Sequence, residues 1–327
     1  MYAGLVPFTR GSPGVGKSEI HKSIAKELNL QIIDHRAAGS DPTDFSGLPG
    51  YRDGKAYFAP FEELFPLAGA KLPEGKQGWL LLLDEVNSAS KMVVAAMYKL
   101  ILDRMVGQHK LHENVLIACA GNLDTDRAIT NPMGTAMQSR MIHLHLDIVG
   151  HEQEWIEDVA LPQNYDKRII AYLSRYPNKL MNFRPDHNDS TFCSPRTWSF
   201  MNKLIQGQEV TESRSALYAG TITSGVAVDF VQFTKVFQNL ITIKEILSNP
   251  KECKLPNDLN EKWATITYII ENLDSTNIEP LTVYVDRFSL DFKLLFYRSI
   301  PIRQEKLMKH PAYRQALLEL SRYLHNN

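Results

Sequence analysis

The sequence predicts an α/β fold: an αβα core on a mostly parallel five-stranded sheet, with a β-hairpin insertion, then a helical lid and a helical C-terminal extension. Three observations carry that prediction. Short apolar runs alternate with helical segments as far as about residue 150, as parallel strands joined by crossover helices require. One run, WLLLLDE at 79–85, is apolar up to its acidic end, the pattern of a strand buried on both faces. Beyond residue 150 the periodic segments read as helices alone.

Each element has its own justification. LVPFT at 5–9 is a short strand running into glycines. Residues 17–28 form a helix, with Ile20, Ile24 and Leu28 at helical spacing and charges between them. LQII at 30–33 is a second strand, and DPTDFSG at 41–47 a polar turn region. YRDGKAYF at 51–58 places Asp-Gly between alternating aromatic arms, a hairpin signal. FEELFPLA at 61–68 reads as a helix and PEGKQG at 73–78 as a loop. A helix over 89–103 puts Val93, Ala96, Met97, Leu100 and Ile101 on one face. VLIACAGN at 115–122 is a buried strand with a polar terminus, and a short helix at 132–139 precedes the strand MIHLHL at 141–146.

The core is expected over 1–150 and the lid over 151–248, with helices at WIEDVA, KRIIAYLSRY, SPRTWSFMNKLI and DFVQFTKVFQNLITI. NPKECKLPNDLN at 249–260 reads as a linker. The extension, 249–327, continues with helices at EKWATITYIIENL, VDRFSLDFKLLFYRSI and YRQALLELSRYL. A length of 327 residues allows about two domains, each with its own core.

The chemistry concentrates in GSPGVGKS at 11–18, a complete Walker A phosphate loop between a strand and a helix. Gly11, Ser12, Pro13, Gly14, Val15 and Gly16 let backbone N–H groups curl around phosphates, and the helix that follows points its positive end at them. Lys17 is placed to reach the β and γ phosphates, and Ser18 offers its hydroxyl to Mg²⁺. The fold is therefore that of a P-loop NTPase core, with ATP and Mg²⁺ as the expected cofactors. Asp84, at the end of the most apolar strand, holds the Mg²⁺ shell, and Glu85 polarises the attacking water. Asn122 ends a third buried strand, where an uncharged amide orients water and senses the γ phosphate. Arg140 precedes MIHLHL and is placed to face a neighbouring subunit's nucleotide. Arg196, in SPRTW at a helix start, is placed to reach the phosphates from the helical domain.

Composition excludes some classes. Lysine plus arginine number 36 against 37 acidic residues, so the total charge demands no nucleic-acid partner. Cys119, Cys193 and Cys253 are far apart and fit neither a zinc site nor a disulfide framework; they read as buried or incidental thiols of a reducing, cytoplasmic compartment. No apolar run reaches membrane-spanning length, and no signal peptide is evident. His143 and His145 alternate on one strand without a convergent third ligand and read as satisfied strand histidines. The hairpin aromatics could stack on bases, with hairpin packing or partner contact as the alternative.

GSPGVGKS, LLLLDEVNSAS, CAGN, SRM and SPRTW, in this order, resemble the AAA+ ATPases of the MoxR type over about residues 5–245. The resemblance makes Asp84, Glu85 and the following Asn87 the Walker B motif, Asn122 sensor 1, Arg140 the arginine finger and Arg196 the sensor 2 arginine of the lid. ILDRMVG at 101–107 and the insertion DPTDFSGLPGYRDGKAYFAP at 41–60 also resemble that clade. It implies a homo-oligomeric ring, commonly a hexamer, with ATP at subunit interfaces. It further implies chaperone-like remodelling of a client protein and a partner carrying a von Willebrand factor A domain. Ser139-Arg140-Met141 stands where the family has Asp-Arg-Phe, and GNLD replaces polar-Asn-Pro. MoxR proteins carry a helical segment before the first strand that helps form the adenine pocket, whereas ten residues precede the phosphate loop here. That segment is expected to be lost, to have passed its role elsewhere, or to lie outside the stretch given. The alternative function is a nucleic-acid motor or loader, and the third a non-hydrolysing nucleotide switch, against which Glu85 argues.

Overall fold

The computed structural model describes residues 4–61, 64–126, 131 and 133–324, with side chains described as far as residue 320. Two compact units form, residues 1–147 with 184–186 and residues 148–183 with 187–327.

In the first unit the order is β1 (Val6–Arg10), α1 (Lys17–Glu27), β2 (Gln31–Arg36), α2 (Pro42–Ser46), β3 (Leu48–Arg52), β4 (Lys55–Ala59), β5 (Trp79–Asp84) and α3 (Lys91–Asp103). A short pair follows, β6 (Met105–Val106) and β7 (His109–Lys110), then β8 (Val115–Gly121), α4 (Thr135–Gln138) and β9 (Met141–His145). Five strands form one sheet in the order β2-β5-β8-β1-β9, and every pairing in it is parallel. This is a P-loop NTPase-like αβα core.

Alternation along β5 builds the two faces of the sheet. Leu81 and Leu83 join Phe8, Cys119, Val93 and Met97 in one core. Leu80 and Leu82 join Ala25, Ala118 and Ala120 in another. Helix α1 thus covers one face and α3 the other, which is why β5 carries leucine at four successive positions.

The hairpin β3–β4 forms with the expected turn: Asp53 and Gly54 both take the left-handed conformation, at φ 50° and 73°. The turn expected at 41–47 contains a helix. Asp41 caps α2 through the Thr43 N–H, Asp44 returns the bond to the Asp41 N–H, and Pro42 opens the helix. The helix expected at 61–68 is absent over 64–68, residues 62–63 lying outside the described ones. Pro66 has no N–H to give, and the chain there runs extended, Leu67 bridging Leu111 and Ala68 N–H donating to Lys110 O at 2.8 Å.

The second unit is helical: α5 (Glu152–Trp155) passing into a π turn at Ile156–Ala160, α6 (Lys167–Arg175), α7 (Pro195–Ile205), α8 (Ser215–Ile222), α9 (Ser224–Thr234), α10 (Ile243–Ser248), α11 (Leu259–Glu271), α12 (Ile278–Val285), α13 (Leu290–Arg303) and α14 (Pro311–Leu324). The single helix expected at 229–243 is broken. Helix α9 tightens at Lys235–Asn239, and Thr242 with Glu245 makes a capping box that starts α10. The helix expected at 285–300 is likewise divided, Val285 ending α12 and Leu290 starting α13. Helices α8 and α12 were not marked by the sequence pattern.

One hydrophobic core runs through this unit, from Trp155, Tyr172 and Trp198 to Ile266, Tyr284 and Phe296. Residues 249–258 are irregular but tied down: Arg287 donates to Pro250 O at 2.9 Å and Cys253 O at 2.7 Å, and the Tyr284 hydroxyl donates to Lys254 O at 3.1 Å. Among the described residues no helix is long and apolar enough to cross a membrane.

Candidate nucleotide-binding site

The loop from Gly11 to Gly16 joins β1 to α1 at the carboxyl end of the sheet. Gly16 sits before α1 at φ 108°, a conformation that side chains oppose, and this turns the chain into the helix with no side chain capping it. Lys17 is buried, at 8% exposure. Its ammonium donates to Gly11 O at 2.6 Å, Ser12 O at 3.2 Å and Asn122 Oδ1 at 3.1 Å. The charge is held inside the curl of the loop, facing the end of β8.

One strand over, β5 delivers Asp84 to the same place. The Ser18 hydroxyl donates to Asp84 Oδ2 at 2.7 Å, and Asp84 Oδ1 accepts the Glu85 N–H at 2.8 Å. Glu85 is half-buried and takes the left-handed conformation, at φ 58°, directly after β5 ends at Asp84. Lys17, Ser18, Asp84 and Asn122 are thus brought together by three neighbouring strand ends, as expected where parallel strands point their carboxyl ends at a ligand.

This donor set suits a nucleoside triphosphate with Mg²⁺. A hydroxyl beside a carboxylate supplies two hard oxygen ligands, and Mg²⁺ takes few protein ligands, completing its shell with phosphate and water. Among the described residues no cluster of three or more His, Cys, Asp or Glu side chains forms a metal cage.

Arg140 lies elsewhere. It precedes β9, whose Met141 pairs with Val6, the first residue of β1. The phosphate loop follows Arg10 at the other end of that strand, and the five residues of β1 span roughly 13 Å. Arg140 is exposed, donating to Ala136 O at 2.8 Å. Arg196 belongs to the second unit, exposed on the first turn of α7, which Ser194 and Pro195 open. His143 bonds Gln138 O at 2.9 Å and packs edge-on against Phe8.

Two residues near the loop escaped the sequence pattern. His21 is buried at 2% exposure, and neither ring nitrogen has a partner. Burial holds its pKa below the ordinary value, opposed by the nearby Asp84 charge. Its position four residues past Lys17, on the same helix face, is the signal that would have found it. Asp126 is also buried, accepting from the Ser12 hydroxyl at 3.4 Å through one oxygen while the other has no partner. An aspartate in the short 3₁₀ turn Asp124–Asp126 carries no such signal.

Comparisons with known proteins place few constraints. No family model matches the chain, and no curated protein does. Among solved structures, two mutant forms of RuvB from Thermotoga maritima align at 16% and 15% identity, each over 73% of this chain and 69% of the other, with TM-scores of 0.39 and 0.36. A Cytophaga hutchinsonii protein provisionally named an ATPase aligns at 15% identity over 98% of this chain and 84% of its own, with a TM-score of 0.32. At such scores these likenesses carry no functional argument, which rests on the site itself.

Proposed function

We propose that this chain is an AAA+ ATPase of the MoxR type that hydrolyses ATP to remodel or mature a client protein. The observation that carries the proposal is the convergence of Ser18 with Asp84 at 2.7 Å and of Lys17 with Asn122 at 3.1 Å. Gly11, Ser12, Pro13, Gly14, Val15 and Gly16 wrap the phosphates through backbone N–H groups, and Lys17 neutralises the β and γ oxygens. Ser18 and Asp84 hold Mg²⁺, which supplies charge neutralisation when bound. Glu85 takes the proton of the attacking water, and Asn122 orients that water.

The location of Arg140, away from the loop of its own chain, supports a role at a neighbour's nucleotide. The proposed assembly is accordingly a homo-oligomeric ring, with a hexamer and a von Willebrand factor A partner as the resemblance implies. The role of Arg196, contact with the nucleotide, rests on the SPRTW motif. The proposed organisation is a core over 1–150, a lid over 151–248 and an extension over 249–327, in the cytoplasm.

The test is turnover. Wild type hydrolyses ATP, Glu85→Gln binds ATP but loses at least about 100-fold in kcat, and Lys17→Ala loses binding. Arg140→Ala keeps binding and loses turnover, and mixing it with Glu85→Gln restores activity at the shared interfaces. Full turnover in Glu85→Gln would overturn the proposal.

One observation favours a second function. Tyr51 is 76% exposed on the hairpin, beside Arg52, whose guanidinium stacks on Tyr57 at 5.2 Å. Aromatic and basic side chains alternating on an exposed strand suit a single-stranded nucleic acid. Turnover stimulated by DNA, with binding that falls steeply with salt, would select the motor or loader instead.

A further inference from the structure

Asn87 lies two residues past Glu85, in the single 3₁₀ turn Val86–Ser88 that follows β5. It is 5% exposed. Its amide nitrogen donates to Asn122 O at 2.8 Å, and its amide oxygen accepts the Asn122 N–H at 3.1 Å. One side chain thereby bonds both backbone groups of the residue that follows β8. Two such bonds fix the orientation of a peptide as well as its position, and an amide is suited to this because it donates and accepts side by side.

The backbone around the pair is built to admit it. A Cβ on Gly121 would stand 2.2 Å from Asn87 Oδ1, so glycine at that position leaves the space the amide fills. The Asn87 carbonyl accepts the Asn131 N–H at 2.6 Å, and the Asn131 amide donates to Ala89 O at 2.6 Å, which holds the turn from its far side. The Asn122 side chain, its backbone so clamped, reaches Lys17 at 3.1 Å. A continuous line of bonds therefore runs from the turn after Glu85, through Asn87 and Asn122, to the lysine of the phosphate loop.

We propose that Asn87 is a positioning residue for hydrolysis: it locks the Asn122 amide in register with Glu85, so that the water-polarising carboxylate and the γ-phosphate-reading amide act at a fixed separation. This rests on the ATPase function proposed above. Both amide atoms of Asn87 are committed to the Asn122 backbone. It acts through the Asn122 backbone, and its loss therefore costs turnover rather than affinity.

A double-mutant cycle tests this. Asn87→Ala and Asn122→Ala are compared singly and together, with ATP turnover and ADP affinity measured for each. Asn87→Ala is expected to lower kcat about tenfold or more, the worth of a hydrogen bond that matters in the transition state, while ADP affinity stays within about twofold. The double variant is expected to be no slower than Asn122→Ala alone, because the two act as one unit. Asn87→Asp keeps the shape and the acceptor for the Asn122 N–H but cannot donate when ionised. It guards against misfolding and is expected to fold, by circular dichroism, with reduced kcat. Gly121→Ala, whose Cβ would press on Asn87 Oδ1 while residue 87 stays asparagine, is expected to reproduce the kcat loss. Additive losses in the cycle, or a folded Asn87→Asp with wild-type turnover, overturn the role of Asn87 alone. A wild type that lacks turnover overturns the ATPase function and this role with it.

Discussion

At the residue scale, the polar groups of the candidate site are partnered with one another. Lys17 rests on two carbonyls of its own loop and on Asn122, and Ser18 rests on Asp84. In the proposed ATPase each of these groups gives up or shares its present bond to take phosphate or Mg²⁺. Buried hydrogen bonds of this kind keep the charged and polar groups satisfied. His21 lies beneath this arrangement with no bond of its own. Burial lowers its pKa in the folded chain, so the unfolded chain takes up the proton first as pH falls. Stability is therefore full above the ordinary histidine value and declines as pH drops below about 6.5. Burial lowers the pKa of His35 as well, and it contributes to the same slope. Urea titrations at pH values on either side should show the decline in wild type and a shallower one in His21→Leu. Equal slopes in the two proteins would exclude His21 as a source.

At the element scale, caps explain most of the differences from the sequence expectations. Asp41, Ser194 and Thr242 each stand where a helix begins, and in each case the side chain three positions on returns the bond. Ser194 is fully buried and its hydroxyl accepts the Thr197 N–H at 3.3 Å, Thr197 bonding back to the Ser194 N–H at 2.9 Å. Ser194→Ala should cost about 1 kcal/mol of stability, with the low end of the range expected because Thr197 remains. Chemical denaturation measures it, and an unchanged midpoint would mean that the cap contributes nothing. At 229–243 the apolar spacing runs past the end of α9 at Thr234 to the first residue of α10, and at 285–300 it runs from the last residue of α12 into α13, so periodicity alone drew one helix across each break. Both helices of each pair pack into the same core, so the spacing carries no mark of the break. The strands were legible because β1, β5 and β8 are covered on both faces, and a doubly buried strand must be apolar throughout.

At the scale of the whole molecule, the helices before and after residue 249 share one interior. Ile266 and Ile269 of α11 belong to the core that holds Ile169 and Tyr172 of α6. Lys167 pairs with Glu271, and Arg298 with Glu157 at 3.0 Å. These partly exposed pairs add little, and the shared apolar surface dominates. Removing residues 249–327 should therefore leave a second unit that does not fold, seen as lost helicity and aggregation of the truncated chain. Phe296→Ala, at a fully buried site in α13, should destabilise the second unit by about 3–5 kcal/mol. A soluble, cooperatively melting truncation would show that the earlier helices hold a core of their own.

The sequence by itself determined the αβα core, the phosphate loop, the acidic end of β5 and the Asp-Gly hairpin. Each of these is local chemistry: a backbone that needs glycine, a strand that must be apolar on both faces, a turn that needs left-handed residues. Only the tertiary structure decided that Asn87 clamps Asn122, that His21 and Asp126 are buried beside the loop, and that Arg140 lies at the opposite end of β1. Those facts depend on which strands become neighbours and in what register. Residues 35 positions apart, as Asn87 and Asn122 are, carry no mark of each other until the sheet aligns them.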